Sequence, residues 1–452
     1  MLIEFKVKNF RSFSDEQTLS MVAGGAKRDK TRPENLIDCG EISLVKAAAI
    51  YGANASGKSN VIKAISVMQT FVISSAMQMN LGDPIREVDP FRLSQETLDQ
   101  PSSFQTVILL DGTQYTYGFS VNAVRVLDEW LEVLPSGGRT ARWIDRRMDD
   151  SGQSHWSIGG PLKKDATLLR EKTRDNGLVL SRGADLNIEE LKELYLWFRN
   201  RVEVHDLSDR TDVVSMSMGT AKRAAKEEPF RQRVARMLRD ADVGINGMRI
   251  SEQSIPTLSD SAPGIPPDGS PESEANALKE LFLVRRRASY EAGGKYSVAT
   301  QHAMPGTDTF VDFRMDEEES NGTQRLFALA EPIFRAFDDG HLLVLDELDC
   351  SMHPNMTRKL LDLFQSDTAN KTGAQLIFAT HDSSLLDSGL LRRDQIWFTE
   401  KDEYQATQLY SLYDFSVKDR PRKQSALERN YLAGKMGAVP SFGAMFEDRE
   451  TH

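Results

Sequence analysis

One short stretch constrains the fold of this chain more than any other part of its sequence. It reads Ile50-Tyr51-Gly52-Ala53-Asn54-Ala55-Ser56-Gly57-Lys58-Ser59 and matches the phosphate-loop (P-loop) pattern G-x-x-x-x-G-K-[ST]. Residues 46–51 form an apolar run that predicts a buried strand, and apolar residues at helical spacing predict a helix over residues 60–72. Because the pattern requires a strand, a glycine-rich loop and a helix in this order, the stretch predicts an α/β unit with a phosphate site at the loop.

The chemistry of this loop follows from its residue types. Gly52 and Gly57 allow the backbone to bend so that its N–H groups point at phosphate oxygens, and the helix N-terminus after Gly57 adds partial positive charge. Lys58 is expected to reach the β- and γ-phosphates of a nucleotide, and the Ser59 hydroxyl is expected to bind Mg²⁺. The nucleotide contacts are assigned to Gly52, Ala53, Asn54, Ala55, Ser56, Gly57, Lys58, Ser59 and Asn60. A chance match is the alternative, and the loop alone does not say what the nucleotide is for.

Composition and charge narrow the class of protein. The chain has 452 residues, of which 40% are hydrophobic and 27% charged, as is typical of a globular protein with a large core. The sequence has no run of about 18 apolar residues, so no membrane span is predicted. The N-terminus lacks the apolar core of a signal peptide. The two cysteines, Cys39 and Cys350, lie far apart, which favours a reducing, cytoplasmic setting and excludes a Cys-x-x-Cys zinc site. The net charge of −11 argues against a uniformly basic nucleic-acid binder but leaves room for a local basic groove.

The remainder of the N-terminal half has the pattern of β structure. Residues 1–13 predict a strand, and residues 103–110, 114–121 and 124–133 predict three more, with Asp111-Gly112 as a hairpin turn. This indicates an antiparallel β subdomain beside the P-loop. The aromatic residues of these strands are interpreted as core rather than as a base-stacking platform; they are Phe104, Tyr115, Tyr117 and Phe119.

The middle of the chain has a helical pattern from about residue 163 to residue 250. Residues 221–241 predict a charged helix pair broken at Pro229. Its Lys and Arg residues form the best local basic patch, for which a solvated helix face is favoured over a nucleic-acid contact; they are Lys222, Arg223, Lys226, Arg231, Arg233 and Arg236. Residues 251–275 are rich in Pro, Ser and Gly and predict a loop or linker, and residues 276–300 predict a helix and a strand.

A second chemical motif lies in the C-terminal third. Leu342-Leu343-Val344-Leu345-Asp346-Glu347 predicts a buried parallel strand with carboxylates at its carboxyl end, where ligands bind in open α/β sheets. This is a Walker B pattern, in which Asp346 is expected to hold Mg²⁺ through water and Glu347 to polarise or deprotonate an attacking water. A strand that ends in a solvated acidic turn is the alternative.

Three further stretches resemble motifs of ABC-type ATPases. Glu319-Ser320-Asn321-Gly322-Thr323 resembles a degenerate ABC signature, in which Ser320 and Gly322 match and the other three residues depart. Such a helix start can grip a γ-phosphate presented by another subunit, and a simple capped helix is the alternative. Residues 348–354 resemble the D-loop. His381 follows an apolar strand pattern at residues 374–380 and resembles the switch histidine that senses the γ-phosphate.

The order of these motifs resembles the ABC-type ATPase head, and residues 7–13 (VKNFRSF) resemble the opening of RecF, SMC and OLD-like heads. Other stretches are similar to the stand-alone bacterial AAA15/AAA21 ATPases, which include RloA, abortive-infection and PARIS AriA-like proteins. These stretches are Pro90-Phe91-Arg92-Leu93, Tyr115-x-Tyr117-Gly118-Phe119, Glu129-x-Leu131, residues 392–398 and residues 431–440. The resemblance covers most of residues 1–135 and 305–440. It identifies no Q-loop glutamine, since Gln95 and Gln105 lie in no recognisable motif.

The resemblance implies an α/β fold with an ABC-type P-loop ATPase head, an antiparallel β subdomain and a helical insertion. The expected domains are residues 1–160 (P-loop and β subdomain), residues 161–304 (helical insertion with the Pro-rich loop at 251–275) and residues 305–452 (signature, Walker B, D-loop and switch histidine). ATP and Mg²⁺ are the implied ligands. Because the chain has one P-loop and one signature, a homodimer or higher homo-oligomer with composite ATP sites is also implied.

The function implied by the resemblance is that of an ATPase subunit in anti-phage defence. No TOPRIM domain is recognised after residue 400 and no H-N-H metal cluster is visible, so the expected partner is a separate effector, a nuclease or a toxin. DNA or a phage protein is the expected trigger, and no membrane is involved. A RecF- or SMC-like DNA clamp in repair is the alternative, against which the net charge of −11 counts. A nucleotide-binding scaffold with little turnover is a third possibility.

Overall fold

The structure is a computed structural model that describes residues 1–24, 32–77, 80–86, 88–149, 151–241, 244–252, 296–387, 389–415 and 427–440. The chain divides into two compact units. The first comprises Met1–Asp206 with Arg335–His452, and the second comprises Leu207–Phe334. These limits differ from the domain boundaries expected after residues 160 and 304, which stay a prediction.

The secondary structure of the described residues combines strands and helices along the whole chain. The strands are β1 (Leu2–Lys8), β2 (Gln17–Ser20), β3 (Leu36–Asp38), β4 (Ser43–Val45), β5 (Ala47–Gly52), β6 (Ser102–Leu110), β7 (Thr113–Val121), β8 (Val126–Leu134), β9 (Ala141–Met148), β10 (Ser154–Ile158), β11 (Val202–Asp206), β12 (Ile245–Glu252), β13 (Tyr296–Ala303), β14 (Phe310–Arg314), β15 (Leu342–Asp346), β16 (Gln375–Ala379), β17 (Ile396–Lys401) and β18 (Thr407–Ser411). The α-helices are α1 (Lys58–Ser74), α2 (Gln95–Leu98), α3 (Ala166–Lys172), α4 (Val179–Asp185), α5 (Glu189–Leu196), α6 (Arg210–Lys226), α7 (Glu228–Asp240), α8 (Asn321–Asp339), α9 (Pro354–Gln365) and α10 (Leu427–Leu432). Within these residues no helix is both long and apolar enough to cross a membrane.

A six-stranded sheet in the first unit carries the P-loop. Its strand order is β11-β15-β16-β5-β17-β18, and neighbouring strands are parallel except β17 and β18, which are antiparallel. β5, β15 and β16 are buried along their whole length, as expected for apolar strands in a parallel sheet covered on both faces. The three buried strands predicted before the P-loop, in the acidic motif and before His381 are confirmed. Because these strands are parallel neighbours, their carboxyl ends meet at one edge of the sheet.

A seven-stranded antiparallel sheet forms the second layer of the first unit, in the order β10-β9-β8-β7-β6-β1-β2. It confirms the predicted β subdomain. The predicted hairpin turn is also present, since Asp111 (φ 46°) and Gly112 (φ 79°) join β6 to β7 with the positive φ values of a type I′ turn. Phe104 and Phe119 are fully buried with ring centroids 5.6 Å apart, and Phe119 lies 5.3 Å from Phe71 of α1. The strand aromatics are therefore core residues, as interpreted from the sequence.

A buried carboxylate joins this sheet to the helices that follow it. The Glu129 side chain on β8 accepts hydrogen bonds from the backbone N–H groups of Val179 (2.7 Å) and Leu180 (3.0 Å) at the start of α4, and from the Tyr117 hydroxyl (3.0 Å). Burial raises the pKa of Glu129, while these donors and Arg146 oppose the shift. Glu129, which the family resemblance singled out, thus caps a helix and fixes it to the sheet.

The prediction of helices throughout residues 163–250 is wrong at two strands. β11 is parallel to β15 and forms an edge of the six-stranded sheet, and β12 pairs with β13. Both short segments depend on partners far away in sequence, so local periodicity does not reveal them.

Within its described residues, the second unit contains α6, α7, α8 as far as Phe334 and a three-stranded antiparallel sheet in the order β12-β13-β14. The predicted helix pair is confirmed as α6 and α7, with Pro229 in the first turn of α7, where its missing N–H is not needed. The expected insertion is therefore not entirely helical. The strand expected within residues 276–300 begins at Tyr296. The helix expected before it and the Pro-rich loop from residue 253 onward lie outside the described residues.

Candidate nucleotide-binding site

The glycines of the P-loop are required by close packing and by backbone conformation. Gly57 has φ 116°, which favours glycine, and a Cβ atom there would lie 2.4 Å from Oγ1 of Thr407. A Cβ atom on Gly52 would lie 2.4 Å from Oγ1 of Thr399. The loop is therefore seated directly against two threonine side chains of β17 and β18, and any side chain at either glycine would displace it.

Lys58, the first residue of α1, folds back over the loop. Its ammonium group donates hydrogen bonds to the carbonyl oxygens of Gly52 (2.8 Å) and Ala53 (3.1 Å), and its side chain is buried. Burial lowers the pKa of Lys58, and the nearby carboxylates, Asp346 first, oppose this change. A cation held over the loop and largely removed from water is suited to bind phosphate oxygens.

A network of hydroxyl groups attaches the P-loop to β17 and β18. The Ser56 and Thr399 hydroxyls are 2.6 Å apart, and the Thr407 hydroxyl donates to the Ser56 carbonyl at 2.7 Å. The Asn60 amide donates to the Ser12 hydroxyl at 2.7 Å, and the Thr407 hydroxyl lies 2.9 Å from the same Ser12 oxygen. Asn60 was predicted to contact the nucleotide, and in this structure its amide braces the loop. Thr399 and Thr407 were missed because no local motif marks them.

Asp346 at the end of β15 has the features of a Mg²⁺ ligand. Burial raises the pKa of its carboxylate and neighbouring Asp206 raises it further, while the nearby Ser59 hydroxyl opposes the shift. Its Oδ1 atom is buried without a hydrogen-bond partner among the described residues. No group of three or more His, Cys, Asp or Glu side chains in that part of the chain forms a metal cage. A hydroxyl and one carboxylate fit Mg²⁺, since this ion takes few protein ligands and completes its shell with water and phosphate.

Glu347 and His381 lie at the same sheet edge as Asp346. Glu347 directly follows Asp346, is half-buried and has φ 53°, so the chain turns sharply as it leaves β15. His381 follows β16, the strand between β15 and β5, and its side chain is exposed. The backbone N–H of His381 donates to both carboxylate oxygens of Asp349, at 3.2 and 3.3 Å. Asp349, in the predicted D-loop, therefore orients the chain at His381.

Asp206 is a carboxylate at this edge that sequence reasoning missed. It ends β11 and lies opposite Asp346 in the parallel register of β11 and β15. The sequence prediction assigned this segment to a helix, although Val202-Glu203-Val204-His205-Asp206 alternates like a strand and ends in an acid. That alternation is a weak signal for a strand, because five residues are also compatible with a helix.

Ser320 and Gly322 lie in the second unit, at the start of α8. The Ser320 hydroxyl accepts a hydrogen bond from the backbone N–H of Thr323 (3.1 Å), and the Ser320 carbonyl accepts one from Gln324 (2.9 Å). Ser320 is therefore a helix cap, the simpler of the two interpretations, and its signature role stays a prediction. Glu319, which departs from the signature, has a structural role: its carboxylate accepts hydrogen bonds from the Thr300 hydroxyl and from His302 Nε2 (2.8 Å), which attaches the helix start to β13.

Three of the six basic residues in the predicted patch on α6 and α7 have contacts within the second unit. The guanidinium of Arg223 lies 4.3 Å from the Phe230 ring centroid, and that of Arg233 lies 4.2 Å from the Phe334 ring centroid. Arg231 pairs with Glu228. These contacts favour the interpretation of a structural helix face over a dedicated nucleic-acid surface.

Comparisons with known proteins identify one matching family and several distantly similar structures. The model of a family described as "AAA domain, putative AbiEii toxin, Type IV TA system" matches residues 47–387, which include every predicted site residue. The solved structure of an SMC head bound to the C-winged helix domain of ScpA is 14% identical with a TM-score of 0.38, covering 92% of this chain and 98% of that chain. The recombination mediator RecF with ATP is 13% identical with a TM-score of 0.29, covering 90% and 97%. No curated protein matches the sequence.

Proposed function

The chain belongs to this AAA-domain family, and from that premise we propose that it binds ATP with Mg²⁺ and hydrolyses the γ-phosphate bond. One observation carries the proposal. A buried Lys58 ammonium lies on the P-loop carbonyls, while Asp346, near the Ser59 hydroxyl, keeps a buried carboxylate oxygen without a partner among the described residues. Lys58 would thus supply a phosphate ligand and Asp346 a metal ligand at the same edge of the six-stranded sheet.

Each residue has a distinct task in this mechanism. Lys58 and the N–H groups of the loop would bind the phosphate oxygens, and Ser59 with Asp346 would hold Mg²⁺, which neutralises charge on the phosphates when bound. Glu347 would accept the proton of the attacking water. His381 would contact the γ-phosphate, and Asp349 would hold its backbone in place.

The proposed ATP site is composite. Ser320 and Gly322 open α8, and the N-terminus of a long helix carries partial positive charge suited to a phosphate. We assign this helix start to the nucleotide of another copy of the chain, so that a homodimer or larger homo-oligomer is the active form.

The proposed biological role is the control of a separate effector, a nuclease or a toxin, in cytoplasmic anti-phage defence, with DNA or a phage protein as trigger. Support comes from the family description, which names a putative AbiEii toxin and a type IV toxin–antitoxin system, and from the sequence resemblance to abortive-infection ATPases. A DNA-binding clamp in repair is the second candidate. It is favoured only by Lys222, Lys226 and Arg236, which lie exposed on α6 and α7.

The first experiment tests the chemistry. Glu347→Gln is expected to lower the rate of ATP hydrolysis by about 10²- to 10⁴-fold while ATP still binds, and it should trap an ATP-bound oligomer visible by size-exclusion chromatography with light scattering. Lys58→Ala should lose ATP binding, and Glu403→Gln, on an exposed turn, is the matched control. Unchanged turnover in Glu347→Gln would refute Glu347 as the base. Tight ATP binding without turnover in the wild type would favour a scaffold.

The second experiment separates the two roles. Deletion of the gene in its native host is expected to increase phage susceptibility, and affinity purification from that host should recover an effector. If neither happens, and duplex DNA binds with an affinity that falls steeply with salt, the repair clamp is the better assignment.

A further inference from the structure

A short C-terminal segment, residues 427–440, contacts two parts of the candidate site at once. Its helix, α10, touches the loop that follows His381. The Ser383 hydroxyl donates to Glu428 Oε1 at 2.7 Å, and the Glu428 backbone N–H donates to Asp387 Oδ1 at 3.0 Å. Both partners of Glu428 thus lie within a few residues of the predicted γ-phosphate sensor.

The same helix also touches the start of the P-loop. Tyr431 is buried, with its ring edge-on to Tyr51 at a centroid distance of 5.9 Å and stacked on Phe398 at 5.6 Å. Its hydroxyl donates to the carbonyl of Ala438 at 3.2 Å. Burial raises the pKa of Tyr431, and the nearby backbone N–H of Gly52 opposes this shift. The carbonyl of Gly52 accepts a hydrogen bond from the Lys58 ammonium. Gly52 therefore lies between Tyr431 and the lysine that is proposed to bind phosphate.

The rest of the segment is attached to the sheet below the loop. The Tyr410 hydroxyl on β18 donates to the carbonyl of Met436 at 2.9 Å. Gly437 has φ 68°, which favours glycine, and a Cβ atom there would lie 2.3 Å from a carboxylate oxygen of Glu400 on β17. The position of α10 is therefore determined by the strands that support the P-loop.

We propose that Glu428 and Tyr431 are positioning residues that connect the P-loop to the loop after His381, and that ATP binding and the order of the C-terminal segment are therefore coupled. The inference rests on the proposed function. Tyr431 acts on nucleotide affinity through Gly52, and Glu428 acts on turnover through the loop after His381. Because coupling is reciprocal, any factor by which Tyr431 raises ATP affinity is also the factor by which ATP stabilises the contact of Tyr431 with the loop.

The first test measures that reciprocity. Tyr431→Phe keeps the ring and removes the hydroxyl. The dissociation constant of a fluorescent ATP analogue is expected to rise about 2- to 10-fold, as for the loss of one hydrogen bond, while Tyr404→Phe, on an exposed turn, stays at the wild-type value. Hydrogen–deuterium exchange of residues 427–432 in the wild-type protein should slow when ATP is added, and this protection should shrink in Tyr431→Phe.

The second test separates the two residues. Glu428→Ala is expected to lower kcat several-fold with little change in KM, Glu428→Gln should restore kcat because it keeps an oxygen acceptor for Ser383, and Glu403→Ala serves as the control. A purely structural role would change thermal stability without this division between KM and kcat.

The outcomes distinguish this inference from the proposed function. If the wild type binds ATP but exchange at residues 427–432 does not respond, or if both variants match their controls, the coupling is wrong and the ATPase assignment stands. If the wild type fails to bind ATP while remaining folded by circular dichroism, both are wrong.

Discussion

Thr407 offers the sharpest test of how this fold prepares the P-loop, because Thr407→Val removes one hydroxyl and changes the side-chain volume very little. Thr407 is fully buried, and its hydroxyl donates to the Ser56 carbonyl at 2.7 Å. The Ser56 carbonyl and the Gly57 N–H belong to one planar peptide group. Anchoring the carbonyl therefore also aims the Gly57 N–H, one of the groups assigned to phosphate.

The expected magnitude follows from this geometry. A buried carbonyl that loses its donor costs about 1–3 kcal/mol, and valine opens no cavity that would add to this value. Without ligand, the loop of the variant can relax so that the Ser56 carbonyl finds another donor. ATP binding must then reverse this relaxation, which makes the binding free energy less favourable by much of that amount. An energy of about 1.4 kcal/mol corresponds to tenfold in the dissociation constant, so we expect ATP binding to weaken about 5- to 50-fold.

The assay compares Thr407→Val with Thr407→Ser, which keeps the hydroxyl. Both are measured by titration with a fluorescent ATP analogue and by thermal unfolding with and without ATP. Valine should weaken binding and reduce the ATP-induced rise in the unfolding midpoint, whereas serine should stay within a few-fold of the wild type. Wild-type affinity in the valine variant would show that the Ser56 carbonyl does not aim the loop, and equal losses in both variants would indicate packing rather than hydrogen bonding.

Three further predictions concern the same unit. Asp206→Asn removes a negative charge about 5 Å from Asp346 across neighbouring strands, so the Mg²⁺ concentration that half-saturates ATP binding should rise about 2- to 10-fold; an effect no larger than that of the exposed control Asp362→Asn would argue against a role for Asp206 at the metal. Although burial acts in the opposite direction, the neighbouring rings of His205 (3.7 Å) and His341 (3.2 Å) and the Arg335 guanidinium (3.0 Å) hold the pKa of Glu203 at about 2. Because this pKa is depressed, Glu203 stabilises the fold above its ordinary pKa of 4.5, and that stability is lost as pH falls from 4.5 towards 2. Urea unfolding across this pH range should show that the free energy of unfolding falls less steeply in Glu203→Gln than in the wild type. An unchanged slope would contradict the assignment. Phe104→Ala should lower the free energy of unfolding by about 3–5 kcal/mol, measured by chemical denaturation, and a loss below about 1 kcal/mol would show that the aromatic cluster is not core.

The parts of the site that the sequence predicts are those carried by contiguous residues. The P-loop, its strand and its helix follow one another without a gap, so the glycine spacing and the apolar patterns were enough to predict β5 and α1. The same holds for Asp346 at the end of β15 and for His381 after β16. Aliphatic strands of a covered parallel sheet are buried, and the polar residue that follows each strand lies at the carboxyl edge of the sheet.

The short strand β11 shows where local pattern is insufficient. Its five residues are compatible with helix or strand, and only pairing with β15 makes them a strand. The helical prediction for this region consequently concealed Asp206. The departure of Glu319 from the signature was likewise unexplained until the structure placed its carboxylate against Thr300 and His302 on β13.

The sequence alone thus determined which residues bind phosphate and metal in the proposed mechanism, because that chemistry resides in short motifs. The tertiary structure alone decided what holds them in place. The Ser56 and Thr399 hydroxyls are 343 positions apart in the chain, and Ser12 and Thr407 are 395 positions apart. Such contacts form only when both ends of the chain join one sheet, and threonine or tyrosine residues that brace a loop carry no spacing or composition that marks them in advance.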